Sequence, residues 1–288
     1  LHMATRECRA VTPATAATWC VPYDYDPSAT CPTIRAWLTQ AVDGDAATVQ
    51  LLRAWWAALL TGRADLQKFL HLPGPGGTGK GVFMRISEAL VGKRNTAATD
   101  LRTLEQNRFE AAALYQKRLV TISDTDKYGG SVNVLKALTG EDAIRLERKT
   151  IQQAGTFPSA GEVHIAANAP LATTDLTSGL ERRRITVTFG RQATAEEREQ
   201  WRVAGGEQAV LHRELPGLAN WALALTPEQV SAAITAPPAR TQRANLAALT
   251  AGNPVAGWLA ECCKPKSGAW TQIGTKVELR RPEDGRIS

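Results

Sequence analysis

The residues best equipped for chemistry are Gly74-Pro75-Gly76-Gly77-Thr78-Gly79-Lys80, directly after the apolar run Phe69-Leu70-His71-Leu72. A strand that ends in a glycine-rich turn and runs into a helix offers consecutive backbone N–H groups to a polyphosphate, and a lysine then reaches the outer phosphates. The pattern G-x-x-x-x-G-K also occurs by chance, so its surroundings must carry it. They do: Val82, Phe83, Ile86 and Leu90 follow at helical spacing, and Gly92 supplies a stop. One position departs. Where a Ser or Thr hydroxyl would bind Mg²⁺, the residue after the lysine is Gly81. The metal is then expected to be held by water, by a downstream acid and by the phosphates, with weakened turnover.

A site that cleaves a phosphoanhydride needs an acid at the end of a neighbouring strand, to hold Mg²⁺ and polarise the attacking water. The strand-like run Arg118–Ser123 delivers Asp124, with Asp126 two residues on, and strand alternation aims both to one side. Asp124 is assigned to the metal and Asp126 to the water. A second buried-type run, Val163–Ala167, ends in Asn168, an amide placed to orient water or touch a terminal phosphate. Arg182-Arg183-Arg184 precede the run Ile185–Phe189. Three adjacent guanidinium groups are costly to bury in one subunit, so an arginine reaching a neighbouring copy and a solvated basic patch both remain open.

The elements that must position these groups alternate strand and helix from Phe69 to Phe189, the signature of a parallel sheet covered on both faces. Before it, Ile34, Trp37 and Leu38, then Val49, Leu51, Leu52, Trp55 and Leu59, recur helically around a turn at Asp43-Gly44-Asp45. The tryptophans are read as packing. After it come helices expected over Glu196–Val203, Glu207–Leu225, Pro227–Ile234 and Thr241–Cys262. The first thirty or so residues read as a tail or linker, with Tyr23-Asp24-Tyr25-Asp26 as a turn rather than a metal site. The expected organisation is therefore residues 1–31 as cloning remnant (Leu1-His2-Met3) and linker, 32–64 helical, 65–190 the core, 191–262 helical, and 263–288 a tail leading to a missing downstream domain. The chain reads as a piece of a longer protein.

At 288 residues, with 43% hydrophobic and 22% charged residues, the composition is that of a globular protein with one substantial core. No stretch approaches the roughly 20 apolar residues of a membrane span. A net charge of +6 leans towards a polyanionic partner. Five cysteines without C-x-x-C spacing and four scattered histidines argue against structural zinc and for a reducing, cytoplasmic setting.

The order of these motifs resembles the superfamily 3 helicases, AAA+-related ring motors, and most closely the helicase half of phage-, plasmid- and poxvirus-type primase-helicases. The similarity runs from about Cys31 to Asn253. Lys117-Arg118-Leu119-Val120 with Asp124 resembles the Walker B motif, with Asp for the commoner Glu, and Leu135-Lys136-Ala137-Leu138-Thr139-Gly140-Glu141-Asp142 resembles "lK.ltGgD". Asn168 falls on the sensor asparagine of motif C. Glu181-Arg182-Arg183-Arg184 with Phe189 resembles the segment that carries the arginine finger, Arg182 first and Arg183 second. Leu146-Glu147-Arg148-Lys149-Thr150 resembles a channel hairpin just before motif C, although Thr150 stands where polyomavirus large T antigen has histidine.

What the resemblance implies is an α/β, AAA+-like P-loop NTPase core between helical segments, using ATP and Mg²⁺. It implies a ring, expected to be a homohexamer, that moves 3′→5′ on single-stranded or forked duplex DNA. Lys149, then Arg148, with Lys136, would contact DNA phosphates. Also implied are an upstream primase domain in the same polypeptide and a winged-helix domain beyond Ser288. Two rivals stay in view: a replication initiator or DNA-loading module using ATP mainly for assembly, which Gly81 favours, and a P-loop small-molecule kinase.

Overall fold

Helix signals in the sequence set the frame of the chain, for which a computed structural model describes residues 7–15, 17–123, 128–147, 155–171 and 178–263. Pro32 opens α1 (Pro32–Ala41) at a position where its missing N–H costs nothing. Asp45 caps α2 (Ala46–Thr61) by accepting the Ala47 N–H at 3.3 Å, and Gly62 ends it at φ 74°, its N–H donated to the Ala58 carbonyl. Almost every side of α2 is covered. Leu51, Leu52 and Leu59 are buried, contributing roughly 5–9 kcal/mol of transfer free energy at about 1.5–3 each. The Trp55 indole N–H donates to His164 Nε2 at 2.7 Å, the Trp56 N–H to Ser87 Oγ at 2.9 Å, and Trp56 stacks on Phe83 at 4.9 Å. Both tryptophans are packing residues, as their helical spacing predicts.

The chain continues through β1 (Phe69–Pro73), α3 (Lys80–Val91), β2 (Thr96–Thr99), α4 (Leu101–Gln106), β3 (Leu119–Ile122) and α5 (Asn133–Gly140). A short antiparallel pair, β4 (Ile144–Arg145) and β5 (Thr156–Phe157), precedes β6 (Glu162–Ala167), α6 (Ser178–Glu181) and β7 (Arg184–Thr186). The main sheet is parallel throughout, in the order β2-β3-β6-β1-β7. One face carries Leu70, Leu72, Leu119 and Ile185 against α1, α2 and α3. The other carries Phe69, Val120, Ile122, Val163 and Ile165 against α4 and α5. Burial on both faces explains why these strands read as apolar runs.

Two strand boundaries differ from expectation. Thr96–Thr99 is a strand that its small side chains concealed. β7 stops at Thr186 instead of continuing to Phe189. The Val187 N–H still donates to the His71 carbonyl at 2.9 Å, but the next donor along β1 belongs to Pro73, which has none. The open edge of β7 is closed from the side by Asn245, which accepts the Thr186 N–H at 2.7 Å and donates to the Arg184 carbonyl at 3.1 Å.

Four of the five remaining helices are α7 (Ala195–Val203), α8 (Gly206–Leu223), α9 (Pro227–Thr235) and α10 (Ala239–Gly252), and α11 (Pro254–Cys262) closes the described chain. The single helix expected over 241–262 is thus two. Pro254 cannot continue α10, and Asn253 caps the restart by accepting the Val255 and Ala256 N–H groups at 3.0 and 3.2 Å.

Among its described residues the segment read as tail or linker forms no α-helix or strand, yet its second half packs against the core. The Tyr23 hydroxyl donates to the Leu90 carbonyl, Asn95 Nδ2 to the Cys20 carbonyl, and Asn220 Nδ2 to the Asp26 and Ala29 carbonyls. At Gly217 of α8, a Cβ would lie 2.2 Å from the Thr30 carbonyl carbon, so only glycine lets the strap lie that close. Among the described residues no helix is long and apolar enough to cross a membrane.

Candidate functional site

β1 lies inside the sheet, and its C-terminal end feeds the glycine-rich loop. The Gly74 N–H donates to the Ala167 carbonyl at 3.1 Å, tying the start of the loop to the tip of β6. A Cβ at Gly74 would meet the Phe189 carbonyl oxygen at 2.4 Å. Gly77 and Gly79 have φ of 78° and 100°, a region that glycine enters without penalty. Gly79 is the N-cap of α3 and brings no side chain to its open N–H groups, so the first turn of α3 faces the loop uncapped. Lys80 is 9% exposed, and its ammonium donates to the Gly74 and Pro75 carbonyls, the latter at 2.8 Å. Thr78 Oγ1 donates to the Pro75 carbonyl at 2.9 Å, and Gln192 Nε2 to the Gly76 carbonyl at 3.0 Å. Exposed amides, a bare helix start and a lysine held by loop carbonyls suit a polyphosphate.

The described residues do not suit direct metal ligation in the same way. Gly81 has no side-chain oxygen to offer, and a Cβ there would meet Arg85 Nη1 at 3.1 Å. Among the described residues no group of three or more His, Cys, Asp and Glu side chains could hold an ion. Asp124 and Asp126 lie outside the described residues. β3 ends two residues before Asp124, and Ser123 is exposed at its tip.

Beside the loop, α1, α3 and α7 enclose a cavity of about 210 Å³, lined by Trp37, Ala41, Val82, Ala193, Trp201 and Arg198 among others. Trp37 and Trp201 meet edge to face, with ring centres 6.3 Å apart. Arg191 braces the rim: it donates to the Gln40 carbonyl and to both oxygens of Glu197, whose carboxyl that bond holds below its ordinary range. A second opening of about 400 Å³ lies over Gly77–Val82, with Arg85 and Arg198 in its walls. Sequence reading missed Trp37, Trp201, Arg85, Arg198 and Gln192. Trp37 does pack against the core, as expected, and only the fold also brings it next to Gly79. Arg85 could have been found, because it lies one helical turn beyond Gly81.

The other expected residues fall in three places. Asn168 is exposed and directly follows Ala167, whose carbonyl binds the loop, so it stands beside the loop's entrance. Arg182–Arg184 lie at the opposite end of the strands, since Arg184 pairs with Phe69, four residues and roughly 13 Å of strand before Pro73. Arg182 is exposed. Arg183 is buried and donates to the Gly179 carbonyl, and Arg184, buried too, pairs with Glu181 at 3.0 Å. One chain therefore does not bring its own arginines to its own loop. Lys136 is half-buried on α5. Arg148 and Lys149 lie outside the described residues. The two arms that flank them are antiparallel, with Ile144 opposite Phe157 and Arg145 opposite Thr156.

Together these features define an α/β protein with a parallel sheet between helices, compatible with a P-loop-like core. The model of a family of unknown function (DUF5906) matches residues 72–184. The chain is 39% identical over 80 residues to an uncharacterized mitochondrial protein, ymf21, of Marchantia polymorpha, covering 28% of this chain and 44% of that protein. Among solved structures, the A form apo structure of the NrS-1 C terminal region superposes with a TM-score of 0.59 at 16% identity, covering 79% of this chain and 52% of that one. A further apo structure of that region gives 0.58 at 15% identity, covering 82% and 58%. The chain thus spans about half the length of the proteins it matches, and the structural likeness is one of fold.

Proposed function

We propose that this chain is the ATPase core of a DNA-replication motor, an ATP-dependent helicase or translocase acting as a ring on single-stranded or forked DNA. The observation that carries this reading is the division of the site across the sheet. The phosphate loop and Asn168 sit at one end of the strands, while Arg182, the exposed member of its triplet, sits at the other. An arginine there can serve a nucleotide only on another copy of the chain, which makes assembly part of the active site. The fold shared with the NrS-1 C terminal region is compatible with the P-loop-like core this reading needs.

In this reading the loop amides and Lys80 bind the β- and γ-phosphates, and Lys80 exchanges its bonds to the Gly74 and Pro75 carbonyls for bonds to phosphate oxygens. The cavity between Trp37 and Trp201 takes the base. Asn168 or Asp126 orients the attacking water, and Arg182 or Arg183 of the adjoining copy neutralises the developing charge. Bound ATP would supply the phosphoanhydride that is cleaved. Asp124 remains the acid assigned to Mg²⁺ from the sequence. The hairpin whose arms are β4 and β5 would carry Arg148 and Lys149 to DNA phosphates, a grip that does not read sequence.

A second reading, a loading module that uses ATP for assembly, is favoured by Gly81. The test is ATP turnover with and without single-stranded DNA, alongside particle mass. DNA-stimulated turnover lost in Lys80→Ala and in Arg182→Ala, with assembly retained in Arg182→Ala, supports the motor. A monomer whose turnover ignores both DNA and Arg182 sinks it.

A further inference from the structure

We propose that Arg85 stands in for the hydroxyl missing at position 81, so that a nucleoside triphosphate is bound by Lys80, Arg85 and Arg198 without needing a divalent cation. The inference rests on the nucleotide reading above and concerns binding, not hydrolysis.

Three observations carry it. Arg85 follows Gly81 by one helical turn, on the same side of α3, and a side chain at 81 would crowd its guanidinium, which would have to give way slightly: Nη1 lies 3.1 Å from where a Cβ would be. Glycine at 81 and arginine at 85 therefore fit together, one leaving the space that the other fills. Next, Glu207 of α8 holds the guanidinium in a two-point fork, Nε to Oε1 at 2.5 Å and Nη2 to Oε2 at 2.8 Å. That fork fixes the plane of Arg85 and leaves Nη1 directed at the first turn of α3, with no hydrogen bond among the described residues. Finally, the opening over Gly77–Val82 is walled by both Arg85 and Arg198. Two carboxylates that line the adjoining cavity are already engaged, Glu207 by Arg85 and Glu197 by Arg191. A divalent ion normally neutralises and bridges phosphate oxygens. Here a guanidinium held by Glu207 does the same at the position where the side-chain hydroxyl is missing.

The experiment is a titration of a fluorescent ATP analogue into the intact chain, read by anisotropy, in excess Mg²⁺ and in excess EDTA. The wild-type dissociation constant should agree within about threefold between the two conditions. Arg85→Gln should weaken binding in EDTA by about tenfold or more, the loss of a charge-assisted bond, and should recover part of it with Mg²⁺. Gly81→Ser, which displaces the guanidinium and adds a hydroxyl, should likewise become metal-dependent. Thermal unfolding of each variant separates a folding defect from a binding one. Wild-type binding that occurs only with Mg²⁺, or an Arg85→Gln variant that binds in EDTA as tightly as wild type, overturns the proposal and leaves the nucleotide reading standing. Absence of wild-type binding in both conditions overturns both.

Discussion

His164 should make the fold acid-sensitive in a way that a single substitution can isolate. Its imidazole is enclosed by Trp55 and Phe83, and burial holds its pKa down at about 3, against 6.5 in an unfolded chain. The Trp55 N–H already occupies Nε2, so the neutral ring carries its proton on Nδ1, and charging it must break the 2.7 Å bond. The sign follows from proton counting. Between pH 6.5 and about 3 the unfolded chain binds the extra proton and the folded chain does not. Stability is therefore fully present above pH 6.5 and is lost as pH falls through that window. At pH 5 the loss is about 2 kcal/mol for this residue. His71, buried and also held at about 3, loses stability in the same direction, whereas buried Glu162, its carboxyl pushed well up, works the opposite way. Absolute stability mixes the three, but comparison with His164→Gln cancels the other two. Glutamine keeps an acceptor for Trp55 and cannot take the proton. Urea unfolding at pH 7.5 and 5 should show the wild type losing about 2 kcal/mol relative to the variant between the two pH values. A gap that stays constant, or moves the other way, refutes the assignment of a neutral buried imidazole.

Trp37→Ala should weaken ATP binding by about tenfold while leaving inorganic tripolyphosphate binding unchanged, because only the base would use the Trp37–Trp201 cavity; competition titration decides it. Asn245→Ala leaves the Thr186 N–H and the Arg184 carbonyl on the β7 edge without their partner and should cost about 1–3 kcal/mol in chemical unfolding. Gly217→Ala gains about 1 kcal/mol in helix propensity, but its Cβ meets the Thr30 backbone, so a net loss of about 2 kcal/mol is expected. Thermal unfolding reads it, and a stabilised variant would show that the strap does not lie on α8.

How much of this was legible in the sequence depended on how local each signal was. The loop, its strand and its helix are contiguous, and Gly74, Gly79 and Lys80 announce themselves. The buried strands β3 and β6 were legible because parallel strands covered on both faces are uninterrupted apolar runs. β2 was not, since Thr96-Ala97-Ala98-Thr99 at the sheet edge needs no bulky side chains. The α10/α11 break was present in Asn253-Pro254 but outweighed by apolar periodicity on either side. The strap from Trp19 to Thr30 was opaque for a different reason: its partners, Leu90, Asn95, Gly217 and Asn220, are remote in sequence, and backbone carbonyls make most of its bonds. The same remoteness hid the cavity, whose walls come from α1, α3 and α7.

The stretch from Arg182 to Phe189 follows the edge strand β7 from one end of the sheet to the other. Its foot carries the exposed guanidinium, and its head rests the Phe189 carbonyl on Gly74, with hydrogen bonds to β1 and to Asn245 clamping it in between. Arg182 and the mouth of the loop are therefore joined by one short run of chain whose backbone is tied to β1 and to Asn245.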